Sequence, residues 1–408
     1  MVTYILIIIY LAFISLGLPD SLLGVTWPVM RLDLNASLAA AGIISMTISG
    51  GTIVSSLLSG KVLRRFGTGK VTTVSVFLTA CALLGYSFSP SFIWLILFAV
   101  PLGLGAGSVD AGLNTYVAAH YKSHHMSWLH CFWGIGAMTG PFIMSLFIGG
   151  ENTWRKGYLT VALIQVVLVV ILFFTLPLWH KAEKPATANV KEIEDGNGDS
   201  DSLFQSSNDN LKKEQHLFRI KGVKQVLLIF LLYCAIESTL GLWGSSFLVN
   251  IKGIDVSVAA KWIAMFYGGI TLGRFLSGFL TLKLSNMVLI RIGQIMLLVG
   301  SLLLVLPFPN YFSLFGFILA GLGCAPIYPC MLHETPVRFG KENSQNLMGI
   351  QMAVAYTGMT FLPPIFGFAA SYMTMTIFPF VILVYVIIML VNSEKINVFF
   401  KRNRSDIN

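Results

Sequence analysis

Three carboxylates stand inside long apolar runs of this sequence, at Asp20, Asp110 and Glu237. Insertion scales put an acid at the centre of a membrane helix at about 2.5–3.5 kcal/mol unfavourable, so an acid kept there lines a cavity, relays a proton or holds a structural hydrogen bond. A low dielectric disfavours the charged form of a carboxyl group, which suits it to load and release a proton near neutral pH. Asp110 shares a helical face with Asn114 at i, i+4,. It is the expected coupling acid, and Asp20 is expected to bind solute or share the proton. Glu237 has two readings. It either forms the opposite wall of the same cavity or pairs with Arg274, which must find an anionic or carbonyl partner if it lies inside a span. A structural or gating ion pair is the preferred reading, with an anionic solute held by Arg274 as the sharper alternative.

Other side chains extend the candidate set. His130 titrates near working pH and suits either donation to a hydroxylated solute or a place on the proton path; packing between helices is its bland alternative. Gln351 occupies a similar place in the second half and is a candidate donor from that side. A pyranose has an apolar face, so sugar sites combine polar groups with an aromatic plate. Trp133, Tyr116, Trp243 and Tyr356 are candidates by position, each against the alternative of ordinary packing. The expected solute contacts are therefore Asp20, Asn114, His130, Trp133, Glu237 and Gln351. His120, His124 and His125 cluster with Lys122, but their spacing fits no metal site and reads as a solvated turn. Cys81, Cys131, Cys234, Cys324 and Cys330 all lie in apolar segments and read as small core residues,. No metal or cofactor is expected.

The elements that must position these groups follow from composition. Of 408 residues, 55% are hydrophobic and only 11% charged, where a soluble domain carries about a quarter charged. The deficit runs along the whole chain, so no sizeable soluble domain is expected. A formal net charge of +9 invites a nucleic-acid reading, yet the cations sit in short loops between apolar runs and form no basic face with interleaved aromatics. Twelve segments reach the roughly 20 apolar residues a span needs, beginning near Tyr4, Ser37, Lys70, Phe92, Met126, Arg155, Gly222, Val256, Asn286, Asn310, Lys341 and Tyr372. Met1-Val2-Thr3 enters the first run with no cation before it and no small-residue cleavage site, so that run reads as a retained helix. The fold class is an all-α membrane protein with residues 1–180 and 222–408 as two six-helix halves. Residues 181–221, the one long polar stretch, form the expected disordered cytoplasmic linker.

Orientation follows from the cations. With the N-terminus cytoplasmic, 21 of the 27 Lys and Arg fall on that side, and both termini are expected inside the cell membrane. The halves also repeat. Gly50-Gly51, Ser59-Gly60, Gly103 and Gly105 recur 218 residues later as Gly268-Gly269, Ser277-Gly278, Gly321 and Gly323. Parallel six-helix repeats are the build of a rocker-type secondary transporter, with its site between the halves near the midplane. Gly103 and Gly107 make a small-xxx-small contact face rather than a phosphate loop.

With these features in place, the sequence resembles the major facilitator superfamily over nearly its whole length. Gly60-Lys-Val-Leu-Arg-Arg-Phe-Gly-Thr-Gly-Lys70 looks like that superfamily's signature loop, with Gly60, Arg65 and Gly67 matching and Arg64 standing where the family has Asp. The loop from Gly278 to Ser285 keeps Gly278 and Lys283 and also lacks the acid. The resemblance implies a gating role for Arg65, although the acid it would pair with is missing. Within the superfamily the likeness is to the fucose permease branch of sugar–proton symporters. It rests on Gly17-Leu-Pro-Asp20, on Asp110-x-x-x-Asn114 and on Leu129-His-Cys-Phe-Trp-Gly-Ile-Gly136. That resemblance implies proton-coupled symport of a monosaccharide or similar solute by alternating access. The partners would be the solute, a coupling proton (or sodium) and the bilayer, with the chain acting as a monomer.

Two rivals were weighed. Gly136-Ala-Met-Thr-Gly140-Pro141 resembles the start of a drug–proton antiporter motif, but Met144 and Ser145 replace the glycines expected next. An intramembrane aspartyl protease of the presenilin type needs Gly-x-Gly-Asp, which is absent around Asp110, and His333-Glu334 has no second histidine at zincin spacing. The chain is not expected to be an enzyme.

Overall fold

The computed structural model describes residues 2–121, 123–149, 153–183 and 220–405, and among them it is helical throughout. Of the linker expected over 181–221, residues 184–219 lie outside the described set. The first half holds α1 (Val2–Asp20), α2 (Leu22–Asp33), α3 (Ala40–Phe66), α4 (Thr68–Phe88), α5 (Phe92–His120), α6 (Ser123–Ser145) and α7 (Thr153–Glu183). The second holds α8 (Val223–Asn250), α9 (Val256–Leu280), α10 (Asn286–Val305), α11 (Tyr311–Phe339), α12 (Lys341–Tyr372) and α13 (Phe378–Ser405), the last preceded by a short 3₁₀ turn at Met375–Ile377. With α1 and α2 taken as one broken span, these are twelve segments. Eleven are long and apolar enough to cross a membrane. The exception is α6, whose 23 residues include three histidines, three glycines and three serines. Large side chains such as Leu57, Phe173 and Phe174 are 79%, 62% and 75% exposed, as expected of a surface that meets lipid rather than water.

The 218-residue offset seen in the glycines recurs in the contacts themselves. A Cβ on Gly103 would fall 2.1 Å from the Ile48 carbonyl oxygen, and one on Gly321 would fall 2.1 Å from that of Phe266. A Cβ on Gly105 would meet the Ser75 carbonyl at 2.6 Å, and one on Gly323 that of Gly293 at 2.6 Å. Ile48 and Phe266 are 218 residues apart, as are Ser75 and Gly293. The glycines are therefore contact points where α5 presses on α3 and α4, and α11 on α9 and α10, with no room for a methyl group.

The halves meet along α2–α8, α3–α12 and α6–α9. Gly24 lies against the Gly241 carbonyl, Gly42 against Pro364 and Gly134 against Thr271, while Ser257 Oγ donates to the Ser145 carbonyl at 2.7 Å. Ser257 with Ser145 and Gly42 with Pro364 lie near the cation-poor ends of their helices, and Gly24 with Gly241 and Gly134 with Thr271 lie nearer the middle. The deepest described is Trp133 against Arg274. Nearer the cation-rich end, Asp20 and His130 are solvent-accessible although their helices are embedded in the body. A cavity therefore opens toward the end that carries Lys61, Arg64, Arg65 and Lys70.

At the cation-poor end the first half is clamped by one ion pair. Arg155 pairs with Asp33, donates to the Ser89 carbonyl at 2.9 Å and lies over Trp154, whose Nε1 also donates to Asp33 at 3.0 Å. In α9 the start is fixed by Asp255, whose side chain accepts from the Ser257 and Val258 amides,.

Because the glycine contacts are backbone to backbone, a branched side chain there must push helices apart. Gly103→Val and Gly321→Val should each lower the melting temperature of the detergent-solubilised protein by several degrees, a cost of about 1–3 kcal/mol. Gly349→Ala, with nothing within 4 Å of a Cβ, should leave it within error. Equal melting curves for all three would refute the packing assignment.

Candidate functional site

Asp20 owes its position to a broken helix. Pro19 has no N–H, so the Ser15 carbonyl one turn earlier loses its usual donor. Gln165 of α7 replaces it, donating from Nε2 to the Ser15 carbonyl at 2.9 Å while its Oε1 accepts from Thr79 Oγ1 at 2.6 Å. The chain turns at Ser21, whose Oγ donates to the Ala137 carbonyl at 2.8 Å. Helix α1 thus ends at mid-membrane with Asp20 as its last residue.

Trp133 of α6 donates from Nε1 to Asp20 Oδ2 at 2.7 Å. The Arg274 guanidinium lies over the same indole, 5.1 Å from the ring centre, a cation–π distance. Tyr267 meets it edge-on at 6.5 Å. Trp133 therefore belongs to the first half by sequence and joins an acid of that half to a cation of the other. Arg274 in turn faces Glu237 at 3.8 Å, the two side chains keeping 16% and 18% exposure. That separation is an ion pair without a hydrogen bond. Glu237 takes its hydrogen bond from the Tyr233 hydroxyl one helical turn away.

Asp110 accepts from Asn114 Nδ2 at 2.9 Å, so the two act as one i, i+4 unit on α5. Both are partly exposed. Asp110 and Glu237 each lie near enough to exert charge on Asp20, and Tyr328 and Tyr356 of the second half lie near enough to Asp110 to feel it. Arg274 acts likewise on His130, which is exposed and edge-on to Phe13 at 6.1 Å. Asp20, Trp133, Arg274 and Glu237 thus form one chain of contacts across the halves, with the Asp110–Asn114 unit and His130 near enough to share its charges. Tyr233, Tyr267 and Tyr328 join them. The sequence reading did not single these out, although Tyr233 stands at i−4 from Glu237 and was open to the same spacing argument.

Some expected members lie elsewhere. Gln351 is fully buried inside the second half, where its Oε1 accepts from Thr335 Oγ1 at 3.0 Å. Trp243 is fully buried with Nε1 bonded to the Pro363 carbonyl at 2.8 Å. Tyr116 packs between His120 and Trp179. All three serve packing, because a helix apolar on every side gives no sign of which face meets the cavity. Arg65 is exposed, lies over its neighbour Phe66 and makes no ion pair among the described residues. His125 is no part of a solvated turn: it opens α6 and bonds the Tyr10 hydroxyl at 2.8 Å. Gly136 and Gly140 seat α6 on α1, where a Cβ would lie 2.1 and 2.4 Å from the Ile14 and Leu18 carbonyls.

A paired-helix cavity with acids from both halves is what an alternating-access carrier requires, and comparison with known proteins decides the family. The sequence profile of the Major Facilitator Superfamily matches residues 9–363. The chain belongs to that superfamily. It is 24% identical over 331 residues to the glucose/mannose transporter GlcP of Bacillus subtilis, covering 79% of this chain and 77% of that one. It is 22% identical over 275 residues to bypass of stop codon protein 6 of Saccharomyces cerevisiae, covering 66% of this chain and 55% of the yeast protein. The cis,cis-muconate transport protein of Acinetobacter baylyi is 23% identical over 70% of this chain and 68% of its own. Among solved structures, nucleoside transporter NupG matches with a TM-score of 0.70 at 16% identity over 97% of this chain and 98% of that one. A D-xylose–proton symporter matches at 0.71 and 13% identity, over 97% of each. The chain is a multi-pass membrane transporter of small solutes, and its relatives are transporters rather than enzymes.

The Arg274–Glu237 contact can be tested as a pair. Removing one partner of a largely buried pair costs about 3 kcal/mol, mostly from the charge left behind. Arg274→Gln and Glu237→Gln should each lower the melting temperature, and the double variant should recover most of the loss. Additive losses in the double variant would show that the two charges do not interact.

Proposed function

We propose that this protein is a proton-coupled symporter of a monosaccharide or similar small polar solute, on the fucose permease branch of the superfamily. The observation that carries the reading is a pair of hydrogen-bonded acids, Asp110 with Asn114 and Asp20 with Trp133, that keep access to solvent inside long apolar helices. Carboxylates with one polar neighbour each suit a proton that must come and go, and an indole with a charged edge partner suits a ring bearing hydroxyls. The sugar transporter GlcP among the relatives supports this solute class.

Asp110 is the coupling acid, and Asp20 shares the proton or takes a solute hydroxyl. Asn114, His130 and Trp133 complete the solute contacts, and Arg274 with Glu237 closes the cavity floor. Residues 1–180 and 222–408 move as two halves joined by the 181–221 linker. The structure is then the inward-facing state, with both termini and the cation-rich loops in the cytoplasm and the chain in the cell membrane as a monomer. Trp133 ties the chemistry to the motion. A proton or a sugar hydroxyl on Asp20 competes for its indole hydrogen bond and loosens the grip of Trp133 on Arg274, the innermost contact between the halves. An antiporter motif would be the other use of Gly136 and Gly140, but both glycines are accounted for by the packing of α6 on α1.

Labelled fucose, glucose and galactose offered to vesicles holding this protein should accumulate under an inward proton gradient. One pH unit supports about tenfold accumulation at one proton per sugar. Asp110→Asn should lose accumulation and keep solute exchange. No accumulation of any of the three sugars under a proton or a sodium gradient would overturn the sugar-symport reading.

A further inference from the structure

Arg274 is under-used by its surroundings. A guanidinium presents five N–H donors in a planar fork, and leaving such donors unsatisfied away from water is costly. Here it is hydrogen-bonded to the Tyr233 hydroxyl and faces the Glu237 carboxylate at 3.8 Å. The carboxylate is beyond hydrogen-bond reach and already accepts from Tyr233. One face of the guanidinium rests on Trp133, which fixes its plane, and Tyr233 takes up only part of its fork,. That fork belongs to a side chain 16% exposed, near Asp20 and His130, which are open to solvent. The fork is thus oriented and charge-compensated, with the Glu237 carboxylate outside hydrogen-bond distance,.

We propose that Arg274 is the subsite for a carboxylate carried by the solute, so that within the proposed solute class sugar acids are preferred over neutral sugars. The inference rests on the symport reading above and narrows its substrate. The carboxylate occupies the guanidinium edge in bidentate fashion, with Tyr233 and His130 beside it. The hydroxylated ring extends past Trp133 toward Asp20 and the Asp110–Asn114 unit. Glu237 stays as the resting counter-ion, held near but not on Arg274, so the arginine is neutralised in the empty carrier and still available to the solute. Coupling follows the same logic, because a carboxylate moved with one proton carries no net charge.

The test compares D-galactose, D-galacturonate and benzoate on the full chain in lipid nanodiscs, with dissociation constants read from tryptophan fluorescence. Galacturonate differs from galactose by a carboxylate on the same ring, and benzoate keeps the carboxylate without the hydroxyls. Galacturonate should bind about tenfold tighter than galactose or better, the gain a charge-assisted hydrogen bond brings. Arg274→Gln should erase that preference. Arg274→Lys, which keeps the charge without the fork, should fall between. Benzoate binding that depends on Arg274, with neither sugar bound, would keep the carboxylate subsite and overturn the sugar reading. Galactose binding as tightly as galacturonate, or a preference unmoved by Arg274→Gln, would overturn the subsite and leave sugar symport standing. No binding by any of the three would overturn both.

Discussion

A charged side chain in the hydrocarbon region has to be met by another polar group, and in this protein each half meets its own, Trp133 on Asp20 and Glu237 on Arg274, while the two pairs touch across the halves where Arg274 lies over Trp133. Arg274 comes from α9, its resting counter-ion Glu237 from α8, and the ring it lies on from α6 of the other half. Trp133 in turn holds Asp20. The chain Asp20–Trp133–Arg274–Glu237 is therefore both the innermost tie between the halves and the wall of the cavity below it. Whatever binds there acts on the contact that holds the halves together.

The rest of the structure keeps that chain at the right depth. Pro19 breaks the first span so that an acid ends a helix at mid-membrane, and Gln165 makes the break tolerable by satisfying the carbonyl that Pro19 orphans. Glycines at matched positions bring α5 onto α3 and α11 onto α9 with the same carbonyl contacts 218 residues apart. Close-packed halves of this kind resist local deformation, which is what the proposed mechanism asks of them.

Much of this was legible in the sequence, and what was hidden has physical reasons. The glycine offset was visible because only glycine tolerates a backbone at about 2 Å from its would-be Cβ, so the repeat is written where helices touch. Asp20, Asp110 with Asn114, Glu237 and Arg274 stood out because each is costly in an apolar run. Gln351 and Trp243 misled because a polar or amphipathic side chain in a span has two uses, cavity lining and internal hydrogen bonding, and helical azimuth is not encoded when every face is apolar. The partnership of Pro19 with Gln165 was invisible, since the two are far apart in the chain and the link exists only after α1 and α7 pack. Arg64 stands in the signature loop where the resemblance leads one to expect Asp, and the described residues give Arg65 no ion pair.

The central claim is that solute and proton move together through the Asp20–Asp110 cavity. It is tested most directly by following the pH of a lightly buffered suspension of cells expressing the chain as the solute is added. Symport predicts that the medium turns alkaline at the moment glucose, galactose or galacturonate is supplied, and that Asp110→Asn abolishes the change while the protein remains in the membrane. Acidification on solute addition, or transport of a solute with no proton movement in either direction, would contradict it.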